Sequence, residues 1–260
     1  MMIRSGDAVL HVRDEGPRGS PVVLFANSLG TDLRVFDALF ARLPRDLRVV
    51  RYDKRGHGLS DLTPGPYTID MLSDDAIAIC EALDLRDVTF VGLSIGGLIA
   101  QSFAIKRPDL TRALVLMDTA AKIGTAETWG ERIAALSGGG IASISDSILS
   151  RWFAPAFLAG PEASQWRNML ERTPLEGYIA CCEALAAADL TDGCARINCP
   201  AIAIAGALDG ATPPALVAET ARLCNAAFHV IEDAGHLPCV EKPDAVAALI
   251  TDFLKKGSHD

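Results

Sequence analysis

Short runs of apolar and β-branched residues punctuate the chain, and between them apolar positions recur at helical spacing. The runs predict strands over Val9–Val12, Pro21–Ala26, Leu47–Tyr52, Val88–Leu93, Ala113–Met117, Ala201–Ala205 and Phe228–Ile231. The helical spacing predicts helices near Ile69–Leu83, Gly96–Lys106, Pro214–Leu223 and Pro243–Leu254. Strands that are apolar throughout need cover on both faces. The alternation therefore describes an α/β class, a mostly parallel central sheet flanked by helices. The first two strands can be antiparallel, because only the turn Gly16-Pro17-Arg18-Gly19 parts them.

The alternation breaks between Thr125 and Leu190, where no strong strand is found. Helical pieces replace it at Glu127–Leu136, Ile141–Trp152, Glu162–Arg172 and Gly177–Ala187. A helical insertion between two strands reads as a cap over the strand ends, where ligands bind in open α/β sheets. Extra packing remote from any site is the plainer alternative. No repeat, low-complexity tract or linker divides the chain further. It reads as a single domain over 1–260 with a helical cap over 125–190 inserted within it.

Composition narrows the function. Hydrophobic residues make up 50% and charged residues 22%, which is ordinary for a globular fold. A net charge of −9 offers no basic face for nucleic acid, whereas an anionic small molecule would need a local cation. Residues 1–16 lack the apolar core of a signal peptide, and no apolar run is long enough to span a bilayer. The expectation is a cytoplasmic protein with no membrane partner. Its 7 cysteines are odd in number, Cys181 and Cys182 are adjacent, and no C-x-x-C pair occurs, a pattern that fits reduced thiols. Cys194 and Cys199 lack the second ligand pair of a zinc site, so no metal is expected. The oligomeric state is not legible.

The chemistry centres on Gly92-Leu93-Ser94-Ile95-Gly96-Gly97, a G-x-S-x-G that directly follows an apolar strand and directly precedes a helix. Such a turn projects the serine hydroxyl above the sheet. Gly92 and Gly96 remove side chains that would collide where strand and helix converge. A serine needs a base, and that base needs an orienting acid. Asp209 follows the strand Ala201–Ala205, and His236 follows the strand Phe228–Ile231, so Ser94, Asp209 and His236 form the expected catalytic set. Asp118, after the strand ending at Met117, is a rival acid, whereas Asp233 lies too close to His236 in sequence. His57 sits in a glycine-flanked turn, His11 and His229 fall in strands, and His259 lies in the terminal tail.

An oxyanion hole needs one backbone N–H after the nucleophile and another from the loop after an early strand. Ile95 supplies the first, and Leu29 in Asn27-Ser28-Leu29-Gly30 is chosen for the second. Dehalogenases and epoxide hydrolases of this architecture need a carboxylate nucleophile. A serine leaves acyl transfer from an ester, lactone or thioester, with no metal or organic cofactor.

The segments Asn27-Ser28-Leu29-Gly30-Thr31-Asp32, Arg51-Tyr52-Asp53-Lys54-Arg55-Gly56-His57-Gly58, Gly92–Gly97, and Asp118 through Thr125 followed by Trp129 resemble those of 3-oxoadipate enol-lactonases, members of the α/β-hydrolase superfamily. Asp118 stands where that family leads one to expect asparagine. The resemblance implies hydrolysis of 3-oxoadipate enol-lactone in the β-ketoadipate pathway of aromatic breakdown. That substrate is a small anionic lactone whose carboxylate should meet a cation. Trp129 and Arg132 are spaced to share a helix face. Trp129 is proposed as an aromatic wall and Arg132 as the carboxylate anchor, with Lys122 the alternate. The other reading packs Trp129 in the cap and leaves Arg132 in solvent. Trp152 is assigned to the cap core before the pocket. A broader carboxylesterase and a non-catalytic ligand receptor of the same fold are the competing functions.

Overall fold

Eight strands form one sheet: β1 (Met2–Ser5), β2 (Ala8–Glu15), β3 (Val22–Ala26), β4 (Arg48–Tyr52), β5 (Val88–Leu93), β6 (Thr111–Met117), β7 (Ala201–Gly206) and β8 (Ala227–Ile231). Their spatial order in the computed structural model, which describes residues 1–256, is 1-2-4-3-5-6-7-8. His259 lies outside the described residues. β1 is antiparallel to β2 and β2 to β4, and all other pairings are parallel. Every predicted strand is present with small shifts at its ends. β1, missed by the pattern, is only four residues long and alternates exposed with buried positions.

β2 and β3 run antiparallel, as the turn at 16–19 allows, but they are not hydrogen-bonded to each other: β4 lies between them. Burial explains this. β3 is buried at every position and needs a buried strand on each side, which β4 and β5 supply. β2 alternates along its first half and turns outward after it, so it suits a place near the edge.

The helices that flank the sheet are α1 (Ile69–Ala82), α2 (Ile95–Lys106), α7 (Pro214–Leu223) and α8 (Pro243–Lys256). Thr68 starts α1 by accepting the Met71 N–H at 3.0 Å. α2 is buried along nearly its whole length, so it runs through the core instead of over it. Between β6 and β7 come α3 (Ala126–Leu136), α4 (Ser145–Trp152), α5 (Ala163–Glu171) and α6 (Leu175–Ala187). A reciprocal capping box between Thr125 and Thr128 begins α3. The helix predicted over Ile141–Trp152 is divided into a 3-10 turn at Ile141–Ile144 and α4. Among the described residues no helix is long and apolar enough to cross a membrane.

Candidate active site

Ser94 occupies the point where β5 turns into α2, with φ 58° and ψ −120°. A non-glycine residue here costs on the order of 1–3 kcal/mol, so its surroundings must hold it. They do so through its backbone: Ser94 N–H donates to Met117 O at 2.9 Å, and Ser94 O accepts Gly97 N–H at 2.8 Å and Thr119 Oγ1 at 2.6 Å. A Cβ on Gly92 would fall 2.2 Å from Gly96 O, and one on Gly96 would fall 2.1 Å from Ala26 O. The glycine spacing read from the sequence is therefore a steric requirement of this crossing.

Asp209 sits in the loop after β7 and is held by four bonds. Oδ1 accepts the N–H groups of Ala211 at 2.6 Å and Thr212 at 3.0 Å; Oδ2 accepts Thr212 Oγ1 at 2.6 Å and faces His236 Nδ1 at 2.8 Å. Burial works to raise this carboxyl, but the His236 ring and the donors from Thr212 and Ala211 hold it down to about 2. An ionised acceptor makes Nδ1 the protonated nitrogen and leaves Nε2 with a free lone pair. The two loops pass closely: a Cβ on Gly206 would lie 1.9 Å from Gly235 O. His236 N–H donates to Trp152 O at 2.7 Å, which ties the histidine loop to the end of α4.

Asp118 follows β6 with φ 43° and is fully buried. Its Oδ1 accepts Gly206 N–H at 2.8 Å, while Oδ2 has no partner. Asp118, Asp209 and His236 bring ligand-type atoms within 4.8 Å of one another, the one such cluster among the described residues. The histidine bond goes to Asp209. Burial and the nearby Asp209 charge push the Asp118 carboxyl well above the ordinary carboxylate range. An acid raised by folding favours the fold at pH below its unfolded value near 3.8, and that contribution is lost as pH rises. Asp118→Asn is therefore expected to raise the melting temperature at neutral pH and to flatten its dependence above pH 4. Each ~1 kcal/mol recovered should appear as about 2–4 °C. Turnover should stay within about threefold of native, because Asp209 keeps its partners.

Ser94 and His236 line one cavity of about 240 Å³, together with Ser28, Leu29, Trp129, Arg132, Arg151, Trp152 and Tyr178. Arg132 and Trp129 do share a face: the guanidinium lies 5.4 Å from the indole centroid, and its Nη1 reaches Tyr178 Oη at 3.2 Å. Trp129 is itself fixed by Nε1–H donating to Ile123 O at 2.6 Å. Lys122 does not line the cavity; it pairs with Asp189 at 3.0 Å. Trp152 is buried against Phe153 and also faces the cavity, so it belongs to both places. His57 does not line the cavity, and its Nε2 accepts Gly30 N–H at 3.1 Å, while His11 pairs with Asp53 at 2.8 Å.

Arg151, in the cavity lining, has no signal in the sequence. Its Nε donates to Gly210 O at 3.0 Å, and Gly210 N–H returns to Arg151 O at 3.3 Å, beside the acid loop. Arg132 and Arg151 form no ion pair among the described residues. Burial and then the Arg132 charge lower the affinity of Arg151 for its proton, with the Asp209 charge opposing in part. The Ser28 hydroxyl is buried without a partner on the cavity wall. A groove of about 640 Å³ opens elsewhere, lined in part by residues 31–34, but its Asp32–Arg34 and His11–Asp53 pairs satisfy each other.

Comparison with known proteins agrees with this fold. Residues 23–249 match the model of the alpha/beta hydrolase family. A 3-oxoadipate enol-lactonase from Acinetobacter baylyi is 36% identical over 255 residues, covering 96% of this chain and 94% of the relative. The crystal structure of the enol-lactonase from Burkholderia xenovorans superposes with a TM-score of 0.94 at 35% identity, covering 98% of this chain and 100% of that one. A malate-bound thermophilic esterase from Thermogutta terrifontis has a TM-score of 0.91 at 30% identity, covering 99% and 98%. The chain belongs to the alpha/beta hydrolase family, as a hydrolase of esters or lactones similar to the 3-oxoadipate enol-lactonases.

Proposed function

We propose that this protein hydrolyses 3-oxoadipate enol-lactone to 3-oxoadipate in the cytoplasm, as a step of the β-ketoadipate pathway. Ser94, His236 and Asp209 act as nucleophile, base and orienting acid, and the helices α3 to α6 serve as the cap. The observation that carries the substrate assignment is the pair Arg132 and Arg151, two unpaired guanidiniums in a small cavity with Ser94 and His236. A neutral ester can accept a hydrogen bond from such a pair but brings no countercharge to it. A lactone bearing a carboxylate neutralises it.

In this reading Ser94 Oγ attacks the lactone carbonyl as its proton passes to His236 Nε2. The Leu29 and Ile95 N–H groups receive the oxyanion, with the N-terminus of α2 adding its favourable field. Collapse breaks the ring C–O bond and expels an enolate, which takes up at carbon, by way of water, the proton held on His236 and becomes the ketone, so that Nε2 is again free to act as a base. Little leaving-group protonation is needed, because an enolate leaves more readily than an alkoxide. Water, deprotonated by His236, then attacks the acyl-enzyme, and 3-oxoadipate departs with both carboxylates ionised. The balance is one lactone and one water to one keto-diacid, with no cofactor called for.

The competing reading is a general carboxylesterase, for which the relative from Thermogutta terrifontis is a precedent. Arg132→Ala separates them. It is expected to lower kcat/KM for the enol-lactone by about thirty- to a hundredfold, the value of a charge-assisted bond, mostly through KM. For p-nitrophenyl acetate the loss should stay within about threefold. Equal losses on the two substrates would favour the esterase.

A further inference from the structure

Lys54 is buried to 1% exposure, yet it forms no ion pair among the described residues. Its Nζ donates instead to the Ser28 carbonyl at 2.5 Å. Thr31 N–H and Thr31 Oγ1 converge on the same oxygen at 3.3 and 2.9 Å. An ammonium removed from water is costly, and a lysine near a surface ordinarily extends its head outward. This one is turned inward onto a backbone carbonyl.

That carbonyl belongs to the peptide unit whose N–H is that of Leu29. The unit is trans, so its C=O and N–H point in opposite directions. Drawing the oxygen toward Lys54 aims the N–H away from it, and Ser28 and Leu29 both line the cavity. Amide resonance links the two ends: a cation bonded to the oxygen withdraws electron density from nitrogen and strengthens the N–H as a donor. We propose that Lys54 is a positioning residue for the oxyanion hole, whose ammonium orients and polarises the Ser28–Leu29 peptide so that the Leu29 N–H meets the developing oxyanion. The inference rests on the oxyanion role given to Leu29 above.

The groups facing Lys54 are Cys181 from α6, the charges of Asp53 beside it and Asp32 from the loop after β3, and His57 from its own turn. Burial draws the Lys54 ammonium down to about 8, with those charges opposing in part. Burial also lifts the Cys181 thiol to about 12 and holds His57 neutral, so Lys54 is the one that changes charge in moderately alkaline solution. Protonated below about 8 and neutral above, it polarises the peptide only on the acid side.

Native protein, Lys54→Met and Lys54→Arg are to be compared on p-nitrophenyl acetate and the enol-lactone across about pH 6–10, with Ser94→Ala as the blank. Lys54→Met should lower kcat about ten- to hundredfold on both substrates, less than the loss of the donor itself, with KM within about twofold. Its alkaline limb in kcat should vanish. Lys54→Arg, charged throughout, should recover turnover and move that limb upward. Replacing a desolvated ammonium by an apolar chain of similar length should not lower the melting temperature. Should Lys54→Met nevertheless fail to fold, a native kcat that stays flat across that range overturns the inference. So does a folded Lys54→Met with turnover within about threefold of native. In both cases activity abolished by Ser94→Ala keeps the hydrolytic reading standing, whereas native protein inert on both substrates overturns the two together.

Discussion

Ser94→Ala is expected to lower kcat for the enol-lactone by about a millionfold while leaving affinity for the substrate close to native. The substitution deletes one oxygen at a position whose backbone is fixed from three sides, by Met117 O, Gly97 N–H and Thr119 Oγ1. The turn therefore has no reason to relax. The cations Arg132 and Arg151, and the wall formed by Trp129, are untouched. Titration calorimetry with the variant should give the affinity directly, since the ligand survives. Turnover is followed by the loss of lactone absorbance. Residual activity within about a hundredfold of native would show that water attacks without the hydroxyl, and would end the covalent route.

Asp209→Asn is expected to cost about four orders of magnitude in kcat, and the bond pattern says why. Two backbone N–H groups converge on Oδ1, so the amide oxygen of asparagine must take that place. The NH2 then occupies the Oδ2 position, facing His236 Nδ1. A donor there obliges Nδ1 to accept, which moves the ring proton to Nε2 and removes the lone pair that receives the serine proton. The fold should survive, because both backbone bonds to Oδ1 persist and the NH2 can donate to Thr212 Oγ1 and His236 Nδ1 in reversed sense. The variant also loses a pH-dependent term. With the carboxyl held at about 2, its stabilisation is present above the unfolded value of 3.8 and lost as acid approaches 2. A loss of less than about tenfold would mean that Asp118, close by and buried, takes over the ring.

The contrast between these acids shows where sequence reading reaches and where it stops. The elbow was legible because its glycines answer a local steric demand: two chain segments cross at atomic contact, and the spacing records it. The loop positions of Asp209 and His236 were legible because each follows an apolar run that could only be a strand. Arg132 was legible from helical spacing to Trp129. Arg151 and Lys54 were not, because each is defined by a backbone carbonyl distant along the chain, Gly210 for one and Ser28 for the other. A carbonyl leaves no mark on the sequence. The first two long strands do run antiparallel, as their short turn allows, but the turn does not show that β4 lies between them; the need of β3 for buried neighbours decides that.

The seam between α4 and the loops beneath it carries one more consequence. Trp152 O holds His236 N–H, and Arg151 exchanges two bonds with Gly210. A graft of residues 126–187 onto another scaffold would thus sever the struts that set the imidazole and its acid unless residues 207–212 and 234–238 travelled with it.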